Sequence, residues 1–176
     1  MSKFRWLALG LALAPCLGGC QTTGRTTGRT AASRLSSPNR SQPIVYVFTL
    51  FYQKPWLNLD AAGDRDPEGI EYRVFLDPGT GKGVPRDGTF LISMYHIDRD
   101  ASGKVDRKLV SDWKYPTSDF GEIDSPLLGR GYLVRLRWAT KDIAGKEIEI
   151  ITRYENPNGS VVSAGTKRFR VPKYTS

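Results

Sequence analysis

Few side chains in this 176-residue sequence have the reactivity that catalysis needs, and most of those that do are carboxylates. His96 is the single imidazole, so a two-histidine metal site is out of reach and only one general base is tuned to neutral pH. It sits within the apolar segment Phe90–Ile97, where a structural or surface histidine is the simpler expectation. The two thiols, Cys16 and Cys20, both lie close to the start of the chain. No Gly-x-Ser-x-Gly elbow presents a serine nucleophile. Asp77-Pro78-Gly79-Thr80-Gly81-Lys82-Gly83 has the glycine density of a phosphate loop. It lacks the Gly-Lys-Ser/Thr ending, and no helical pattern follows to aim an N-terminus at an anion, so an inter-strand loop is expected.

Two acidic segments have a metal-like spacing. Asp60, Asp64, Asp66 and Glu68 crowd one stretch, and Asp98, Asp100, Ser102 and Asp106 follow the odd-position rhythm of a calcium loop, with Gly103 at the turn. The twelfth loop position is Leu109 instead of a bidentate Glu, and Asp and Ser are ordinary turn residues, so a solvated turn is expected and no metal or cofactor. The aromatics Phe51, Tyr52, Trp56, Trp113 and Tyr115 would make a platform for sugar rings or a protein partner if they shared a surface. Core packing is the plainer use for them. No catalytic residue is expected.

The informative cysteine is Cys20. Lys3 and Arg5 precede the apolar run Trp6–Ala14, which is shorter than the roughly 20 helical residues that span a bilayer, as in a transient export segment. Leu17-Gly18-Gly19-Cys20 follows. These four residues resemble the lipobox of bacterial lipoproteins, in which a branched aliphatic residue and two small residues precede an obligatory cysteine. The resemblance implies cleavage between Gly19 and Cys20, a diacylglyceryl group on the Cys20 thiol, often a further acyl chain such as palmitate on the new amine, and attachment to a membrane. Gln21 in the next position resembles lipoproteins sorted to the outer membrane. The likeness covers the first 20 residues and implies nothing about the domain behind them.

Residues 1–19 are thus expected as a signal peptide and 20–43 as a lipidated cysteine with a disordered tether. The tether repeats Thr-Thr-Gly-Arg and has almost no apolar side chains with which to bury surface. It also explains the charge. All 18 acidic residues lie after Pro43, while six of the 26 basic ones precede it, so the net +8 divides into +6 for leader and tether and +2 for the rest. A nearly balanced domain has no strong electrostatic reason to seek nucleic acid.

From residue 44 to 173 the pattern becomes short apolar segments between turn residues. Strands are expected over Ile44–Tyr52, Ile70–Leu76, Phe90–Ile97, Leu109–Trp113, Tyr132–Trp138, Glu147–Tyr154 and Val161–Val171. Period-two alternation assigns Ile70, Tyr72, Val74 and Leu76 inward, with Phe90, Ile92, Met94, then Tyr132, Val134, Leu136, Trp138, then Ile148, Ile150 and Tyr154. Asn156-Pro157-Asn158-Gly159 reads as a hairpin turn. No window shows helical periodicity. About seven strands in such a length predict an all-β domain, an immunoglobulin-like antiparallel β-sandwich, with a small barrel or C2-like sandwich as the alternative. Joined to the anchor, this reads as a non-enzymatic envelope protein with a binding or structural module; the alternatives are a carbohydrate- or cell-wall-polymer-binding module using exposed aromatics and, behind it, a hydrolase built on paired carboxylates of the acidic loops. Its expected partners are the membrane, through lipid on Cys20, and an envelope protein or polysaccharide.

Overall fold

The computed structural model describes residues 42–59, 67–138 and 143–173. The leader, Gly19, Cys20 and the tether up to Ser41 lie outside the described residues, as do Asp60, Asp64 and Asp66.

Nine strands are present among the described residues: β1 (Tyr46–Leu57), β2 (Gly69–Asp77), β3 (Thr89–Arg99), β4 (Val105–Pro116), β5 (Gly121–Ser125), β6 (Gly129–Arg137), β7 (Glu147–Glu155), β8 (Val161–Ser163) and β9 (Lys167–Arg170). One 3-10 turn, Thr117–Asp119, joins β4 to β5. All paired strands run antiparallel. One sheet has the order β1-β2-β6-β5; the other runs β4-β3-β7-β8, with β9 also pairing β7. Lettered along the chain, with β8 and β9 as two halves of the last strand, this is A-B-E-D against C′-C-F-G, the immunoglobulin arrangement. The all-β sandwich expected from periodicity is what the chain forms.

The inward sets on β2, β3, β6 and β7 are buried as alternation requires, and they form one core together with Ile44, Val47 and Val171. Differences arise where strands are edge-exposed or bent. The expected Leu109–Trp113 extends to twelve residues, because β4 is an edge strand whose polar residues Asp106, Arg107 and Lys108 pair with β3 while facing water. Val161–Val171 breaks at Ala164-Gly165-Thr166 into β8 and β9. β5 has one apolar residue in five and escapes any hydrophobic pattern; its pairing with β6 defines it.

Two covered polar groups find partners on other strands. Tyr72 and Thr152, both fully covered and on opposite sheets, share a hydrogen bond of 2.9 Å. On the outer face of the second sheet Glu149 is 0% exposed, with Oε2 receiving a 2.7 Å hydrogen bond from Arg168 Nε. Its Oε1 lies 2.9 Å from Arg107 Nε, a charge contact without hydrogen-bond alignment. This carboxylate ties β4, β7 and β9 together, and an unpaired charge in its position would be strongly destabilising.

Candidate functional site

The residues with reactive potential are dispersed. His96 is largely covered, and its Nδ1 lies 3.3 Å from the exposed Asp98. In the β3–β4 turn, Asp100 Oδ1 accepts hydrogen bonds from Ser102 N (2.9 Å), Ser102 Oγ (2.6 Å) and Lys104 N (2.9 Å). The Ser102 hydroxyl, ahead of the backbone donors, lowers the Asp100 carboxyl below its usual value. Its lone pairs serve the turn. No group of three or more metal-ligand side chains occurs among the described residues. Glu68, the described member of the first acidic segment, is nearly covered and lies 3.5 Å from Arg137.

The glycine-rich loop after β2 does gather backbone N–H groups around an anion, but the anion is the chain's own. Asp77 Oδ1 accepts from Gly79 N (2.8 Å), Thr80 N (2.7 Å) and Gly81 N (3.2 Å). Gly79 and Gly81 supply the positive φ this curl needs. Lys82 Nζ donates to the carbonyls of Pro126 and Leu127, which clasps the loop to the β5–β6 hairpin. The phosphate-like spacing is therefore a structural staple.

The five aromatics do not form one platform. Phe51 stacks on Tyr72 with ring centroids 4.4 Å apart and meets Phe169, which Trp56 also touches edge-on. Trp113 packs against the core and donates from Nε1 to the Arg137 carbonyl. Tyr115 lies edge-on to Phe120. Tyr52 turns outward from β1, with Arg73 Nε donating to its hydroxyl at 2.7 Å. Tyr46, Phe48 and Leu50 share its face, exposed by 58%, 45% and 45%. The sequence Tyr46–Tyr52 is apolar on both parities, apart from Thr49, so alternation could not separate its faces.

The best-formed concavity is a cleft of about 570 Å³ at one pole of the sandwich, which sequence reasoning missed. Its walls come from the β2–β3 connection, the 3-10 turn, β5, β6, β7 and the β7–β8 turn, with Pro43 at its lip. Tyrosines from opposite sheets build the floor. The Tyr132 hydroxyl accepts from Arg86 N (2.8 Å) and donates to Arg86 O (2.9 Å), and Thr117 Oγ1 donates to that same carbonyl. Tyr154 donates to the Asp87 carbonyl at 2.6 Å. Phe90 supports both rings from within, 5.5 Å from Tyr132 and 6.0 Å from Tyr154. Asn156 Oδ1 receives Ile44 N, which fastens the entry of β1 to the same rim. The one available signal was a pair of tyrosines ending inward-facing runs, whose buried hydroxyls must find partners.

Arg86, Asp87, Glu122, Asn156 and Asn158 give the cleft mixed donors and acceptors. Among the described residues no thiol or imidazole lines it, and both phenols are spent on backbone carbonyls. Burial, the largest cause, pushes Tyr154 up to about 12 and raises Tyr132 as well, so neither phenolate exists near neutrality to act as base. A pH dependence follows. The fold favours the neutral phenol, so the Tyr154 contribution is whole below the unfolded value of about 10 and is lost as pH rises towards 12. Stability measured by urea melts should fall between pH 10 and 12, and the fall should be shallower in Tyr154→Phe; identical slopes would contradict the assignment.

No family model matches the chain, and no curated protein does. Among solved structures, a DUF4466 family protein from Parabacteroides merdae is similar at 13% identity and a TM-score of 0.29. The match covers 72% of this chain and 44% of that one, so this chain spans less than half the neighbour's length.

Proposed function

We propose that this is a lipid-anchored protein of the cell envelope, held at the outer membrane through acyl chains on Cys20, and that its β-sandwich is a non-catalytic binding or structural module. The observation that carries the reading is Leu17-Gly18-Gly19-Cys20 behind a basic and then apolar leader. Each buried methylene contributes about 0.8 kcal/mol, so one chain holds only marginally while two or more anchor stably. The non-catalytic half of the reading is supported by the polar cleft, where the Thr117, Tyr132 and Tyr154 hydroxyls are committed to the backbone and no thiol or imidazole stands among the described lining residues. Its lining of carboxylates and amides favours a hydroxyl-rich envelope polysaccharide as the partner, with an envelope protein as the second candidate. The test of the anchor is Cys20→Ala. The parent chain should incorporate labelled palmitate and pellet with membranes; the variant should carry no label and lose processing at the leader. Undiminished labelling in the variant would overturn the reading.

A further inference from the structure

An edge strand normally protects itself with charge, proline or brevity, because exposed apolar edges recruit other surfaces. β1 does so only at its far end, where Gln53, Lys54 and Pro55 interrupt the register with β2. Before that point Tyr46, Phe48, Leu50 and Tyr52 project from the same outward face as an unbroken stripe about 20 Å long at 3.3–3.4 Å per residue. Phe48 and Leu50 occupy the middle and tyrosines the two ends, with the Tyr46 and Phe48 rings stacked 6.2 Å apart. Beside the stripe, Arg73 lies over the Tyr52 ring at 5.1 Å. Farther across the same face, Arg135 and Arg137 are paired with Glu71 and Glu68, and their side chains remain 65% and 64% exposed. Apolar centre, amphipathic rings at the ends and guanidinium groups alongside are the composition that settles at a bilayer's headgroup boundary.

We infer that the outer face of β1 docks on the surface of the lipid bilayer, a reading that rests on the anchor proposed at Cys20. The occupant is chosen by where the rest of the chain lies. Residues 21–43 separate Cys20 from Ile44, which stands two residues ahead of the strand that bears the stripe. A tether of 23 residues, as their composition predicts, would have a reach of roughly 25–30 Å and would keep the stripe within about one domain diameter of the lipid. Tethering of this kind sets an effective concentration on the order of millimolar, enough for a four-residue stripe of weak intrinsic affinity to remain docked.

The test uses the full lipidated chain reconstituted in vesicles of phosphatidylethanolamine and phosphatidylglycerol that contain brominated lipid. Cys16 leaves with the leader and Cys20 is acylated, so one introduced cysteine can carry a fluorophore without competition. Probes at Phe48→Cys and Leu50→Cys should be quenched several-fold more than probes at Leu109→Cys on β4 or Val161→Cys on β8, because docked apolar faces sink about 5–10 Å into the interface. With Phe48 and Leu50 both replaced by Glu, a probe at Tyr46→Cys should fall to the Leu109→Cys level. Equal quenching at all positions on vesicle-bound protein would overturn the docking surface and leave the anchor intact. Unquenched Phe48→Cys probes together with efficient disulfide crosslinking between copies at that position would overturn it in favour of a dimer. Failure of the chain to partition into vesicles at all would remove the anchor and the docking with it.

Discussion

Phe90→Ala should lower the stability of the domain by about 4 kcal/mol, within the 3–5 kcal/mol typical of a buried Phe reduced to Ala. Phe90 is 0% exposed and stands at the meeting point of Phe120, Tyr132 and Tyr154, all with ring centroids within 6.0 Å. Its removal leaves a void between the sheets beneath the floor of the polar cleft, so the two tyrosines lose the surface that holds their hydroxyls on the 86–87 backbone. At about 3–5 °C per kcal/mol for a domain of this size, the midpoint should drop by roughly 15 °C. Phe48→Ala is the matched control. Its ring is 45% exposed on β1, and its loss should change stability by no more than about 0.5 kcal/mol. Urea denaturation of the two variants side by side checks the contrast; comparable losses would mean that the inward and outward aromatics have been misassigned.

The second large effect is expected at Gly88. A Cβ there would stand 2.5 Å from Tyr154 Cε2 and 2.6 Å from its Cζ and hydroxyl oxygen. The ring is 0% exposed, backed by Phe90, and donates to the Asp87 carbonyl one residue away, so it can yield only towards the cleft and at the expense of that hydrogen bond. Overpacking of a tight core costs about 1–3 kcal/mol, and displacing the phenol forfeits a hydrogen bond worth about 1 kcal/mol. Gly88→Ala should therefore cost about 3 kcal/mol, while Gly165→Ala, with nothing within 4 Å of its Cβ, should be close to neutral. Thermal melts of both variants decide this, and a neutral Gly88→Ala would show that the cleft floor yields more easily than its packing implies.

The two sites also explain what was readable from the residues alone. β2, β3, β6 and β7 are the central strands, each with one face turned to the core, and so Ile70, Tyr72, Val74, Leu76 and their counterparts recur at every second position. Gly121–Ser125 could not be seen, because an edge strand paired on one side has little apolar surface to bury. Phe51 and Phe48 look equivalent in a run apolar on both parities; only the packing of Phe51 on Tyr72 and Phe169 separates them. The acidic and glycine-rich loops resembled ligand sites because a carboxylate that organises a turn needs the same small, polar neighbours as one that holds an ion, as at Asp77 and Asp100. The cleft was invisible for a different reason. Arg86, Thr117, Tyr132, Tyr154 and Asn156 come from separate segments, and no local spacing unites them before the sheets pack.

Anchor and cleft make a consistent pair physically. A domain with 20 basic and 18 acidic residues beyond Pro43 has little electrostatic pull towards any envelope polymer, so its local concentration must come from tethering. The proposed lipid on Cys20 would provide that, and a polar cleft of modest size would then serve the proposed recognition at close range.

The most direct measurement is intact-mass and peptide mass spectrometry of the mature chain isolated from its own membrane. The expected result is an N-terminal peptide that begins at Cys20 and is heavier than its sequence by a diacylglyceryl group, with or without a further acyl chain on the amine. An unmodified Cys20, or a mature terminus at any other residue, would contradict the proposed anchor and the bilayer contact built on it.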